Sequence, residues 1–174
     1  MRKRKDLDNY IQVNEEPHQK KKQYQYQGEY FQLSTPDGLK NSHCTRNLIR
    51  SMLALIACII IGLIDPGSLR QLYGVIPFVV LLYFSGKSLW YSILCKRAPE
   101  RMTLRQKEQS FDGLEHSSRL QVIFSILLFI AQVLYILIDT YQPRDALAAG
   151  LSILSCIVSM ANLRERKENS CAAA

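Results

Sequence analysis

The stretch from Leu120 to Ile138, LQVIFSILLFIAQVLYILI, decides the fold. It carries no charged side chain. As a helix rising about 1.5 Å per residue it approaches the roughly 30 Å thickness of a bilayer's hydrocarbon core. Backbone polar groups in lipid must be satisfied within the segment, so a run of this kind is a helix. It lacks the strict alternation of a membrane-barrel strand. Working outward, three more blocks read the same way: 47–64 (NLIRSMLALIACIIIGLI), 71–94 and 146–162. The fold class predicted is therefore all-α, a polytopic membrane protein of four transmembrane helices at about 47–64, 71–94, 120–138 and 146–162. The flanking segments are a basic N-terminal tail (1–46), a loop (95–119) and a C-terminal tail (163–174).

Composition taken as an average points elsewhere. The 174 residues are 48% hydrophobic and mean hydropathy is close to zero, as in a soluble protein. The apolar residues are nevertheless concentrated in the four blocks, which leaves little chain for a separate catalytic domain. The first and fourth blocks are the weaker ones. Arg50 interrupts the first, so it must snorkel to the headgroups; a re-entrant or interfacial segment is the alternative for so short a run. The fourth is rich in alanine and serine.

Charge predicts how the chain threads. The formal net charge is +7. Ten Lys and Arg lie in residues 1–50, six in 96–119 and three in 164–167, against Arg70 and Arg144 in the two intervening turns and Lys87 within the second block. By the positive-inside rule both termini and the 95–119 loop face the cytoplasm, and the turns Asp65–Arg70 and Asp139–Asp145 face outward. The location expected is a cell (inner or plasma) membrane. In the first turn Asp65-Pro66-Gly67-Ser68 supplies a helix stop, with Ser68 as N-cap of the next helix; Gln142-Pro143 breaks the chain in the second. No cleavable signal peptide is legible. The five cysteines avoid both outward turns, so a stabilising external disulfide is not expected.

The two halves resemble each other. Asp37-Gly38-Leu39 precedes the first span and Asp112-Gly113-Leu114 the third; Leu63-Ile64-Asp65 ends the first and Leu137-Ile138-Asp139 the third, with Arg70 and Arg144 each five residues further on. This predicts two tandem helical hairpins of the same orientation, related by an axis along the membrane normal. Small insertions are needed to align them.

Residues with chemical potential are few. Lys87, inside Phe84-Ser85-Gly86-Lys87-Ser88, is an intramembrane cation; its nearness to Trp90, Tyr91, Lys96 and Arg97 reads as an interfacial anchor, with a substrate or lipid-phosphate contact as the alternative. Gly-Lys-Ser here is no phosphate loop, since no glycine stands five residues upstream. Gln132 is a polar residue deep in the third span, suited to an interhelical hydrogen bond. No Asp or Glu falls within the four blocks, which counts against a proton-coupled antiporter. Ala148, Ser152, Ser155 and Ser159 form a small-residue stripe along the fourth span, and Gly74 with Pro77 predicts a kink in the second. His43, Cys44, Cys95 and His116 cluster near one membrane face but lack zinc-site spacing. Cys171-Ala-Ala-Ala is only the loosest form of a prenylation box. No catalytic, cofactor or metal residues are assigned. In the tails, Tyr24–Tyr26 and Tyr30–Leu33 read as a short hairpin, and Pro99-Glu100 as the start of a loop helix.

The function expected is that of a non-enzymatic integral membrane protein, an accessory or structural subunit of a membrane complex; the alternative is a small transporter or channel subunit built from the two parallel hairpins. Expected partners are a bilayer with anionic headgroups, drawn to the basic tail, and a second membrane protein or second copy. Nucleic acid is not expected, since no RNA-binding motif accompanies the basic residues.

Overall fold

The computed structural model describes residues 10–13, 23–26, 31–33, 39–98, 103–138, 142–168 and 171–173. Four helices dominate it: α1 (Leu39–Ile64), α2 (Leu72–Arg97), α4 (Gly113–Ile138) and α5 (Pro143–Glu168), each of 26 residues. At about 1.5 Å per residue each is roughly 39 Å long, more than a hydrocarbon core requires. All four are long and apolar enough to cross a membrane. The chain is thus a multi-pass membrane protein with an all-α fold. The first helix begins at Leu39 rather than at Asn47, so the shortness of its apolar block does not make it a short element.

Around the bundle the order is α1, α2, α4, α5, and α5 packs back on α1. Short connections force consecutive helices to run antiparallel. One end of the bundle therefore holds the two turns (the turn end) and the other holds the chain's flanking segments (the basic end). A half-turn about the bundle axis exchanges α1 with α4 and α2 with α5. Some buried positions follow that exchange and others, such as Ile61 with Tyr135, Ser117 with His43 and Ser152 with Phe78, do not. Cys44, Ser51, Ala54, Ala57 and Cys58 on α1 match Ser118, Ser125, Leu128, Ala131 and Gln132 on α4; Gly74, Leu81, Ser85 and Ser88 on α2 match Ala148, Ser155, Ser159 and Asn162 on α5. One constant offset, the one that superposes Asp65 on Asp139, relates every pair. These pairs need none of the insertions that the flanking residues require.

The turn end is built by close approach. Asp65 ends α1 in the left-handed region, with φ 47°; aspartate tolerates this better than most residues. Its carboxylate pairs with Arg70 at 2.8 Å. A single 3₁₀ turn, Gly67–Arg70, follows. A Cβ on Gly67 would run into the end of the Tyr135 side chain, which would have to move, and one on Gly74 would run into the Ser68 backbone carbonyl, where only glycine fits. Ser68 does not cap α2. Gln71 occupies the N-cap, without a side-chain cap bond, and Ser68 is buried instead. Helix α2 runs unbroken through Pro77, which is buried against the bundle with Gly74.

At the basic end, a short helix α3 (Leu104–Lys107) and one π turn (Glu108–Asp112) lead into α4. Thr103 and Gln106 start α3 reciprocally: the Gln106 side chain accepts from the Thr103 backbone at 3.0 Å, and the Thr103 hydroxyl from the Gln106 backbone at 3.4 Å. This is a capping box. A start at Pro99-Glu100 lies outside the described residues. The π turn delivers Phe111 into an apolar cluster with Cys44, Cys95 and Leu114.

Strands form in the tails, with partners other than those expected. β1 (Tyr10–Val13) pairs antiparallel with β2 (Gln23–Tyr26), and β3 (Phe31–Leu33) pairs with β4 (Cys171–Ala173). Tyr24–Tyr26 therefore does not form a hairpin with Phe31–Leu33. Tyr10-Ile11-Gln12-Val13 offers the same polar–apolar alternation and takes that edge. The second pairing ties the N-terminal segment to the end of the chain.

Candidate functional site: the polar interior of the bundle

The bundle inverts the usual distribution of a soluble protein. Ile and Leu side chains on every helix, among them Ile56, Ile76, Ile126 and Leu154, point outward, while small hydroxyl and amide side chains share the centre with an apolar cluster of Cys58, Ile61, Leu81, Leu128 and Ala148. An outward apolar surface belongs in lipid; without a hydrophobic drive between helices, small residues and interhelical hydrogen bonds hold them together.

The bonds are specific. Ser51 of α1 lies 3.1 Å from Ser88 and 2.9 Å from Ser92 of α2. Ser125 of α4 donates to Ser155 of α5 at 3.3 Å. Ser152 of α5 lies 2.9 Å from Oε1 of Gln132 on α4. Across the hairpins, Gln121 Nε2 of α4 donates to Ser85 of α2 at 3.0 Å.

Neighbouring atoms fix the orientation of the Gln121 amide. The Ser85 hydroxyl has one hydrogen and donates it to the Leu81 carbonyl at 2.8 Å. Ser85 can then only accept from Gln121, so the NH₂ faces it and Oε1 points elsewhere. That oxygen is buried without a hydrogen-bond partner, as are Asn47 Oδ1, Asn162 Oδ1 and Ser118 Oγ. Gln121, Ser118 and Asn162 are each more than nine-tenths buried. Asn47 and Gln121 occupy equivalent places on α1 and α4, and Asn162 stands at a similar distance from the turn end on α5. Toward the turn end, Gln132 Nε2 and Ser68 Oγ are also unpartnered.

Each residue singled out from sequence has a definite place. Gln132, Ala148, Ser152, Ser155 and Ser159 are all fully buried in the interior, and Ser152 joins Gln132 directly. The single Ser152 hydrogen is shared between Gln132 Oε1 and the Ala148 carbonyl, and Ser159 bonds back to the Ser155 carbonyl one turn earlier. Lys87 is not brought together with them. It is half-buried on α2 with Nζ 5.4 Å from the Tyr83 ring centre and 6.0 Å from that of Tyr91, a cation–π arrangement. Cys44 and Cys95 do meet, with Cys44 Sγ 3.6 Å from the Cys95 carbonyl oxygen. Among the described residues no three His, Cys, Asp or Glu side chains gather as metal ligands.

One acidic residue corrects the sequence reading. Asp145 was expected in an outward turn, with no carboxylate inside the spans. It lies instead in the first turn of α5, 1% exposed, and accepts the Gly67 backbone N–H at 2.9 Å. The 3₁₀ turn buries that N–H against Tyr135, and a buried donor requires an acceptor. The helix N-terminus favours the negative charge at the same place. Residues 139–141 of that turn lie outside the described residues.

Chemically the interior offers hydroxyls and neutral amides, with acceptors in excess toward the basic end. It can solvate water or a small polar group. These features define a four-helix membrane bundle with a polar seam. Comparison with protein families finds no matching family, and comparisons with curated proteins and with solved structures find no match.

Proposed function

We propose that the chain is a non-enzymatic membrane subunit, an accessory or structural component of a membrane complex. The observation that carries this reading is the division of surfaces. The interior is knitted by hydroxyl bonds between helices, while large apolar side chains on all four outer faces are left for lipid or for the helices of a partner. Photo-crosslinking residues placed at outward Leu147 and Ile157 test it in native membranes. Adducts to one defined membrane protein at both sites, and none from a crosslinker at buried Ser155, are expected. Adducts only to lipid would overturn the reading.

The second reading, a small transporter or channel subunit of two parallel hairpins, is favoured by the unpartnered acceptors on α1, α4 and α5. Solute counterflow in proteoliposomes by the purified chain alone, abolished by Gln121→Leu in a folded protein, would replace the accessory role with this one. In either case we place both termini and the 95–119 loop on the cytoplasmic side, from the charge pattern.

A further inference from the structure

Ser125 of α4 meets Ser155 of α5 at 3.3 Å, and the two helices run antiparallel. From that contact toward the basic end, Gln121 and Ser118 follow on α4, while Ser159 and Asn162 follow on α5. The steps are four residues and then three on both helices. Such steps keep to one helix face. Gln121 is therefore level with Ser159, and Ser118 with Asn162, the second pair about 4.5 Å beyond the first. All four residues are at most 3% exposed.

Within this layer Gln121 Oε1, Ser118 Oγ and Asn162 Oδ1 have no hydrogen-bond partner. The Ser159 hydrogen goes to the Ser155 carbonyl at 2.8 Å, so that hydroxyl can only accept. Gln121 Nε2 is taken up by Ser85. Two carboxamide oxygens thus need donors, and the Ser118 hydroxyl has a hydrogen to give. Buried polar atoms are nearly always bonded, to protein or to ordered water. A buried water typically makes about three hydrogen bonds.

The other hairpin closes most of the same layer directly. Gln121, Ser118 and Asn162 correspond there to Asn47, Cys44 and Ser88. Ser88 lies 3.1 Å from Ser51, and Cys44 joins the apolar cluster with Phe111 and Leu114. Of these three residues, Asn47 alone keeps an unpartnered atom, Oδ1.

We propose that an ordered water is bound between α4 and α5, donating to Gln121 Oε1 and Asn162 Oδ1 and accepting from the Ser118 hydroxyl. Two hydrogens and a free lone pair meet all three atoms. A cation could serve the two carboxamide oxygens but could not take up the Ser118 hydrogen. The site depends on neither reading above, because a fixed water suits a structural subunit and a transporter alike.

Solid-state NMR of the full-length protein in deuterated lipid bilayers tests this, through magnetisation transfer from water to amide hydrogens. Mildly acidic buffer keeps carboxamide hydrogen exchange slow. Transfer to the Gln121 side-chain amide is expected to be at least fivefold faster than to the backbone amide of Leu128, which lies in the apolar cluster. Ser118→Ala with Asn162→Leu should bring the Gln121 rate down to that of Leu128. Ser118→Ala alone, the milder change, should at least halve it. A wild-type Gln121 rate no faster than that of Leu128, or one unchanged in Ser118→Ala, overturns the site. Saturable shifts of the Gln121 and Asn162 side-chain carbonyl signals on titration with sodium, potassium or ammonium would identify a cation and overturn the water assignment.

Discussion

Asp145 shows how one side chain joins two turns that are distant in sequence. Its Oδ1 holds the Gly67 N–H, and Gly67 lies against Tyr135 of α4. Removing the acceptor leaves a buried donor unsatisfied, which costs about 1–3 kcal/mol. Asp145→Ala is therefore expected to lower the melting temperature in detergent clearly, and Asp145→Asn, which keeps an acceptor oxygen, to lower it much less. Asp65 permits a separate test. The hydrogen bond from Arg70, reinforced by its charge, holds the Asp65 carboxyl below its ordinary value. A carboxyl with a depressed folded-state value adds stability above the unfolded-state value, about 3.9, and loses it as pH falls through the lower folded value. Asp65→Asn keeps a residue that accepts positive φ and removes the charge. Melting temperatures of wild type and Asp65→Asn should differ by a constant amount from pH 8 to 5 and converge below about pH 4. The site was only partly legible at this scale. Gln132 was recognisable because it interrupts an apolar run, whereas Asp145, Asn47 and Asn162 stand at or near the ends of such runs, where polar residues usually meet headgroups or water.

At the scale of elements, α5 is the one whose spacing was most informative. Its small residues recur at four, three and four, and all of them are buried. The bulky residues between them meet the outside, with Leu154 47% exposed and Ser155 fully buried. Overpacking a tight contact costs about 1–3 kcal/mol. Ser155→Leu also removes the acceptor of Ser125. It should lower thermal stability clearly more than Leu154→Phe, which enlarges an outward side chain; small, equal effects would show that the stripe is not a contact surface. Helix boundaries were less legible. Apolar runs mark where lipid contact begins, not where hydrogen bonding ends, so α1 starts at Leu39 although its apolar block starts near Asn47. The start of α3 could have been read from Thr103-Leu-Arg-Gln106, which has capping-box spacing. The strand partners could not, because several short alternating runs compete for the same edges.

Across the whole molecule, the number of spans and the charge pattern predict the threading. Each half contributes two spans, so the halves share one orientation and their basic flanks collect at one end. The pairing of β3 with β4 joins segments from both ends of the chain at that end. Eighteen Lys and Arg belong to the flanking segments, Arg50 lies just inside the first block, and only Arg70 and Arg144 belong to the turns. Translocating the flanks would carry this excess across the membrane, against the bias that sets orientation. The turn end should therefore face outward. Ser68 is unsuitable as a reporter because it is buried, but Gln71 and Gln142 are exposed. In a background with all five native cysteines replaced, Gln71→Cys and Gln142→Cys should react with a membrane-impermeant maleimide in intact cells or spheroplasts. A cysteine at Lys96, also exposed, should react only after permeabilisation. The reverse pattern would invert the protein in the membrane. Labelling of Gln71→Cys without Gln142→Cys under conditions where both react after permeabilisation would place the two hairpins in opposite orientations and overturn the parallel arrangement.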